Sequence, residues 1–404
     1  MMLRYRKTPI SFITALCVYI VINAGYWKLL FEGYGSIFSF LQIIALGGLC
    51  VIFIMNKVKR ISLISIFLYF SLIAFLLWRV YEIVLGPQNN TELLNTLITI
   101  IFCMVLYNGT NSLDEDSIKT LMYLIINMNF LGVLIYLIVF WKINIAGLLS
   151  GVRLGDLAGS SIWLARFCAD SALCCLLVFL RTKGTKFIIQ YVLFFIVVLL
   201  TASKGPLLVL LLFSTIIVMN SIKSARGKAI VLILIVVLAL VVIIGFQFID
   251  NPAIQYRFSL ETIMNSNPGY RVDRYRYSLM EIKKSPIGGN GIGNWGKEYW
   301  SQYGSNLATD KISDYPHNIY LQIAYEMGVF AIVLFSIPII GVLAKKKDDN
   351  TRYVYVLLLS NVAYALTSGS VIDGNRGVYY WMAVSISILY VEKLRRKNEH
   401  SFTK

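Results

Sequence analysis

The sequence predicts an all-α, polytopic integral membrane protein with about 12 transmembrane helices and one long external loop. Three observations carry that reading. The 404 residues are 58% hydrophobic and 14% charged, with a mean hydropathy of +0.71, more apolar surface than a soluble domain can hide. The apolar residues fall in successive runs whose lengths match the roughly 20 residues that cross a hydrocarbon core. Lysine and arginine gather in short clusters between those runs, the distribution expected of cytoplasmic loops, so the net charge of +16 reports topology and not nucleic acid.

Arg4, Arg6 and Lys7 precede a first span at 10–30, and a second at 34–55 comes directly after it, so the first reads as retained and not as a cleaved signal peptide. Lys57, Lys59 and Arg60 mark the inner side, and spans at 61–85 and 92–109 lead to a loop with Asp114, Glu115 and Asp116, acidic where the topology asks for basic. The fifth span, 119–141, leads out to a loop through Arg153, and the sixth, 160–180, returns to Arg181, Lys183 and Lys186. The seventh, 187–201, turns at Ala202-Ser203-Lys204-Gly205 into the eighth, 206–221, which ends at Lys223, Arg226 and Lys228. A ninth at 229–249 delivers the long loop outside, a tenth at 317–343 returns to Lys345, Lys346 and Lys347, and two more, 353–372 and 377–391, finish at a basic tail. The chain therefore divides into helices 1–9 over 1–249, the loop over 250–316, and helices 10–12 with a cytoplasmic tail over 317–404. No internal repeat is visible. All six cysteines fall inside apolar runs without ligand spacing and read as small apolar filler.

The external loop is the long polar segment, and its chemistry stands out. Tyr270 to Lys284 reads as a helix with Val272, Tyr275, Leu279 and Ile282 on one stripe, stopped by Pro286 and the glycines after it. Arg271 and Arg274 flank one side of the stripe and Arg276 the other. Such a helix can lie on the bilayer with its arginines on lipid phosphate. It can also clamp a diphosphate, because guanidinium binds phosphate oxygens bidentately and keeps its charge at any working pH.

His317, one of two histidines, stands where the tenth span begins. Asp314 is a plausible N-cap and Pro316 suits a first turn, which puts His317 at an outward-facing helix N-terminus. That end attracts anions and disfavours imidazolium, leaving a ring able to accept a proton. A solvated surface histidine is the plain alternative. Ala324 and Gly328 lie on the same helix face, where a neighbouring helix could come close. Arg166, Asp170 and Glu326 are ionisable groups at membrane depth, functional candidates by default, though Arg166 and Asp170 could simply pair. Arg153 and Lys204 could join a basic pocket open to the outside. Asp310, Asp314 and His317 could be drawn as metal ligands, but spacing alone supports that set, and no metal or cofactor is expected.

These residues resemble the bacterial O-antigen polymerase and O-antigen ligase superfamily of membrane glycosyltransferases. That family's pattern, an arginine, an aromatic four residues later and a Pro-x-x-Gly-x-Gly turn fifteen residues after the arginine, reads here as Arg271, Tyr275 and Pro286-Ile287-Gly288-Gly289-Asn290-Gly291. Its His-Asn element, with a glycine further on, reads as His317-Asn318 and Gly328, with Tyr320 and Leu321 also fitting. A Ser-Arg-Gly turn is represented by Ser203-Lys204-Gly205, where lysine keeps the charge but loses the fork. The match lies mainly within 200–330.

The resemblance implies a C-type glycosyltransferase-like membrane fold acting at the periplasmic face of the bacterial inner membrane. The donor it implies is an oligosaccharide on undecaprenyl diphosphate, the acceptor a hydroxyl of a second lipid-linked unit or of the lipid A core. It leaves room for a chain-length regulator as a further partner. Its reactive residues would be His317, Arg271 and Arg274, with Arg153, Lys204, Arg276, Asn318 and Tyr320 binding substrate or diphosphate. Polymerase is the first expectation and ligase the second. A flippase would suit twelve spans too, but secondary transporters tend to show two related halves, and none is visible. A non-catalytic scaffold leaves the arginine-loop-histidine arrangement unexplained.

Overall fold

The computed structural model describes residues 9–55, 101–110, 115–150, 152–156, 161–227, 229, 270–291, 293–304, 314–343, 352–368, 380–381 and 384–385. The spans expected at 61–85 and, but for Ala229, at 229–249 lie outside the described residues, as do most of 377–391 and the first half of 92–109. Every regular element among the described residues is helical. Among the described residues, five helices are long and apolar enough to cross a membrane: Ile10–Leu30, Gly35–Ile52, Ser117–Val139, Ser161–Thr182 and Lys204–Ser221. The chain is a multi-pass membrane protein.

The helices are α1 (Pro9–Leu30), α2 (Gly35–Met55), α3 (Ile101–Thr110), α4 (Glu115–Val139), α5 (Trp141–Leu149), α6 (Ser161–Thr182), α7 (Thr185–Leu200) and α8 (Lys204–Ser221). The segment expected as the long loop supplies α9 (Arg271–Lys284) and α10 (Trp295–Ser301), and the C-terminal part of the chain supplies α11 (Ile319–Met327), α12 (Val329–Leu343) and α13 (Arg352–Ser368). Expected and observed boundaries agree to within two or three residues for most spans. The fifth differs: α4 stops at Val139, and the chain forms the short helix α5 before reaching Arg153.

The molecule forms two compact units, one of residues 1–18, 45–117 and 265–404, the other of 19–44 and 118–264. In the second, α6 is the core element. Its span is 83% buried against 39% for α4, and it packs along both α7 and α8. Polar side chains cross-link the apolar helices there: Tyr19 donates its hydroxyl to Asn129 Oδ1 at 2.8 Å, and Asn129 Nδ2 donates to Ser171 Oγ at 2.8 Å. Such bonds hold membrane helices together where lipid removes the hydrophobic drive. Gly132 lets α4 approach closely, since a Cβ there would stand 1.5 Å from the Trp27 ring.

In the first unit the short helix α11 is the hub, packed against α9, α10, α12 and α13. The single span expected at 317–343 is in fact broken at Gly328, whose φ is +85°. That break, and the loop helices gathered around it, form the candidate site.

Candidate functional site

The loop helix α9 begins and ends where its sequence dictates. Asp273 in its first turn and Lys283 and Lys284 in its last oppose the ends of the helix dipole, and Ser285-Pro286 terminates it. Its most buried residues lie off the expected stripe, of which Ile282 packs against a buried aromatic cluster. Arg274, Tyr277 and Ser278 are buried, whereas Leu279 is 50% exposed. The apolar periodicity misleads because the neighbour that α9 meets is aromatic and polar, and it selects the face that can hydrogen-bond.

That neighbour is α10. Trp295 and Tyr299 stack with centroids 4.6 Å apart, and Tyr277, Trp300 and Tyr325 complete a buried cluster with them. Trp295 Nε1 donates to Ser278 Oγ at 2.8 Å. The Arg274 guanidinium sits 5.5–5.8 Å from the ring centroids of Trp295, Tyr299 and Trp300. Its donors are also taken: Nη1 gives to Asp314 Oδ1 at 2.7 Å and to the Tyr315 carbonyl at 2.6 Å, and Nη2 gives to Asp314 Oδ2 at 2.8 Å. Trp300 Nε1 adds a bond to Asp314 Oδ2 at 2.8 Å. Burial pushes the Asp314 carboxyl up, but the Arg274 guanidinium, Trp300 and the Tyr315 N–H more than offset it and hold the group below the usual carboxylate range.

Asp314 is therefore not the N-cap of α11. Asn318 is, its Oδ1 accepting from the Tyr320 and Leu321 N–H groups at 3.0 and 3.2 Å. Asp314 instead begins a strap, 314–316, fastened to Arg274. His317 comes next with φ +61°, a left-handed backbone uncommon outside glycine, and its ring meets Tyr315 edge to face at 4.6 Å. So the buried arginine fixes the stretch of chain that presents the histidine.

Arg271 and Arg276 differ from Arg274: both are exposed, and no ion pair to a described residue engages them. Arg271 lies near Tyr275, which α9 carries one turn on. Burial pushes the Tyr275 phenol up, and the Arg271 charge and the Asn318 side chain pull it part of the way back, which places all three together. Tyr320 packs edge-on against Phe335 of α12 at 5.8 Å.

Behind this cluster the glycine turn locks into the broken helix. Asn290 N–H donates to the Tyr325 carbonyl at 2.7 Å, Gly291 N–H to the Glu326 carbonyl at 3.1 Å, and Val329 N–H to the Pro286 carbonyl at 2.8 Å. The turn thereby satisfies backbone groups that the break at Gly328 exposes. Only glycine fits on either side. A Cβ on Gly289 would stand 2.4 Å from the Glu326 carbonyl oxygen, and one on Gly328 would stand 2.1 Å from that of Ile287. The close approach expected at Gly328 is thus made by a loop and not by a helix. Below it, Glu326 is 1% exposed and accepts from Gln322 Nε2 at 2.9 Å.

Arg153 and Lys204 belong to the second unit, where one backbone bond ties their segments together: Leu154 N–H donates to the Leu200 carbonyl at 3.1 Å. Arg153 pairs with Asp156 at 2.6 Å, and Lys204 opens α8 after Ala202, whose φ is +47°. Arg166 and Asp170 are buried in α6, Arg166 over the Trp163 ring at 4.8 Å. Asp310 lies outside the described residues, and among those described no group of three His, Cys, Asp or Glu could hold a metal ion.

The residues that sequence reasoning passed over are Trp295, Tyr299, Trp300 and Tyr315. Their signal is the aromatic density of α10, with rings at positions 295, 299 and 300 just after the glycine turn.

An exposed arginine, a tethered histidine and a glycine-locked helix break thus come together in one cluster of a multi-pass membrane protein. Residues 189–336 match the family model described as O-Antigen ligase, a segment that contains α8 to α11 and the whole cluster. Residues 189–336 thus carry the domain of a family of membrane glycosyltransferases of the O-antigen ligase and polymerase class, which serves polysaccharide and lipopolysaccharide biosynthesis. Among the curated proteins and the solved structures, none matches the chain significantly.

Proposed function

We propose that this protein is a glycosyltransferase, a polymerase of a lipid-linked surface polysaccharide, acting at the periplasmic face of the inner membrane. It moves a glycan from undecaprenyl diphosphate to a non-reducing-end hydroxyl of another lipid-linked repeat unit. The acceptor oxygen forms a bond to the anomeric carbon, the bond from that carbon to the diphosphate oxygen breaks, and its electron pair leaves with the lipid diphosphate. The acceptor proton passes to His317. Arg271 stabilises the charge that develops on the leaving diphosphate, a role for which preorganised cations suffice. Asn318 and Tyr320 contribute to substrate binding around it, Arg276 binds substrate on the other flank of α9, and Arg153 and Lys204 are the second unit's candidates for a substrate phosphate. Arg274 acts through the strap: it positions His317 and carries no ligand of its own.

The observation that supports this reading best is the tether. Buried Arg274 holds Asp314 and Tyr315, and the histidine they present stands beside Asn318, which shares its surroundings with exposed Arg271. The matched family is described as O-Antigen ligase, which favours a second reading, transfer of the glycan to the lipid A core. The lipopolysaccharide pattern of a deletion strain separates the two. Core carrying a single repeat unit indicates polymerase. Bare core with long glycan on the lipid carrier indicates ligase, and an undisturbed ladder removes both.

A further inference from the structure

We infer that Tyr303, Asp273 and Arg276 form a carbohydrate-binding subsite, on the flank of α9 away from Arg271, for the glycan whose transfer is proposed above. The inference rests on that reading for its substrate class and on separate residues for its evidence. A sugar offers two kinds of surface: apolar C–H faces that lie on aromatic rings, and equatorial hydroxyls that both donate and accept. A site for it needs an exposed, rigid ring edged by a charged acceptor and a charged donor.

All three are present. Tyr303 is 37% exposed, yet its ring is fixed on three sides. Its hydroxyl donates to Asp273 Oδ2 at 2.9 Å, and its edges meet Tyr299 at 5.5 Å and Trp300 at 5.9 Å. A ring held in place before the ligand arrives loses little entropy on binding. Asp273 accepts from Tyr299 as well, and both phenols arrive on Oδ2, which leaves Oδ1 for a hydroxyl or an amide N–H. Arg276 lies three residues along the same helix, exposed and not engaged by any described ion pair. At about 100° per residue it stands roughly 60° round the helix from Asp273, near enough for one sugar to touch both.

A purely structural role for Tyr303 explains less. The α9–α10 pair is already fastened by Trp295 to Ser278 and by Tyr299 to Asp273, and Trp300 ties α10 to Asp314, so the Tyr303 bond adds a fourth tie at the exposed end. Arg271 and Asp273 share the first turn of α9. A diphosphate on the former and the attached sugars on the latter would therefore lie on opposite flanks of one helix end.

The test uses the full chain in detergent or nanodiscs. The probes are the producing strain's lipid-linked oligosaccharide and the free oligosaccharide released from it by mild acid. Tyr303→Ala and Asp273→Asn are expected to raise KM for the lipid-linked substrate roughly tenfold with kcat within about twofold, and to abolish saturation-transfer signals from the free oligosaccharide. Tyr303→Phe keeps the ring and should stay within about threefold of wild type, whereas a purely structural tie would make it behave like Tyr303→Ala. Arg276→Ala gives a second, independent loss of binding. Saturation-transfer signals that survive in folded Tyr303→Ala overturn the subsite. The proposed catalysis fails separately: His317→Ala should bind the free oligosaccharide like wild type whether or not it transfers.

Discussion

The tether between Arg274 and Asp314 gives the sharpest expectation. The two side chains are 8% and 18% exposed and meet in a forked pair, with the Tyr315 carbonyl adding a bond to Arg274 and the Trp300 indole one to Asp314. Removing one partner of such a pair strands a buried charge, which costs about 3–5 kcal/mol in well-buried cases. Asp314 keeps some contact with water, so about 2–4 kcal/mol is expected for Arg274→Met. Asp314→Asn should cost somewhat less, since the amide still accepts. Release of the strap also frees His317, and a displacement on the order of 1 Å at a reacting group can lower turnover about 100-fold. Arg274→Lys should fall in between, with the charge kept and the fork lost. The assay is a double-mutant cycle read in both thermal unfolding and glycan transfer. The double mutant should be scarcely worse than either single, a coupling of about 2 kcal/mol or more. Additive effects in a folded protein, or Arg274→Met with wild-type stability and transfer, would refute the tether.

Three further perturbations test the same geometry. Gly289→Ala and Gly328→Ala each place a methyl within van der Waals overlap of backbone at positive φ, so each should abolish transfer and lower the unfolding midpoint, by about 2 kcal/mol at least. Asn318→Ala removes the cap of α11 and should cost about 0.5–2 kcal/mol, with Asn318→Asp restoring most of it in thermal melts. Asp314 has a lowered pKa, so the unfolded chain binds its proton more readily than the folded one. Its contribution is fully present above about pH 3.9, the ordinary carboxylate value, and is lost as pH falls through the lowered value. Asp314→Asn should therefore narrow its stability deficit to wild type only as acid protonates the carboxylate, which melts between pH 2 and 6 would show.

Much of this was legible from the chain. Spans are set by local apolar length, so α1, α6 and α8 lie where expected, and α9 matches the helix read from Tyr270 to Lys284. Pairings across long separations were not legible. Arg274 finds Asp314 forty residues on, and nothing local distinguishes it from Arg271 or Arg276 as the one that turns inward. For the same reason Asp314 read as a cap, because the rule for caps weighs residue type and proximity, and the arginine that claims it lies outside that window. The break at Gly328 depends on the turn from Pro286 to Gly291, which supplies donors to the end of α11. An apolar run by itself reads straight through it. The aromatic cluster of α10 decides which face of α9 is buried, and that decision was hidden in the spacing of α9 alone.

The most direct measurement is single-turnover glycan transfer by purified protein from the producing strain's lipid-linked oligosaccharide, with His317→Ala and Arg271→Ala compared against wild type. Both should slow transfer about 100-fold or more while leaving the unfolding midpoint nearly unchanged. Transfer within about twofold of wild type in either folded variant would contradict the chemistry assigned to that residue and move the reactive centre away from the α9–α11 cluster.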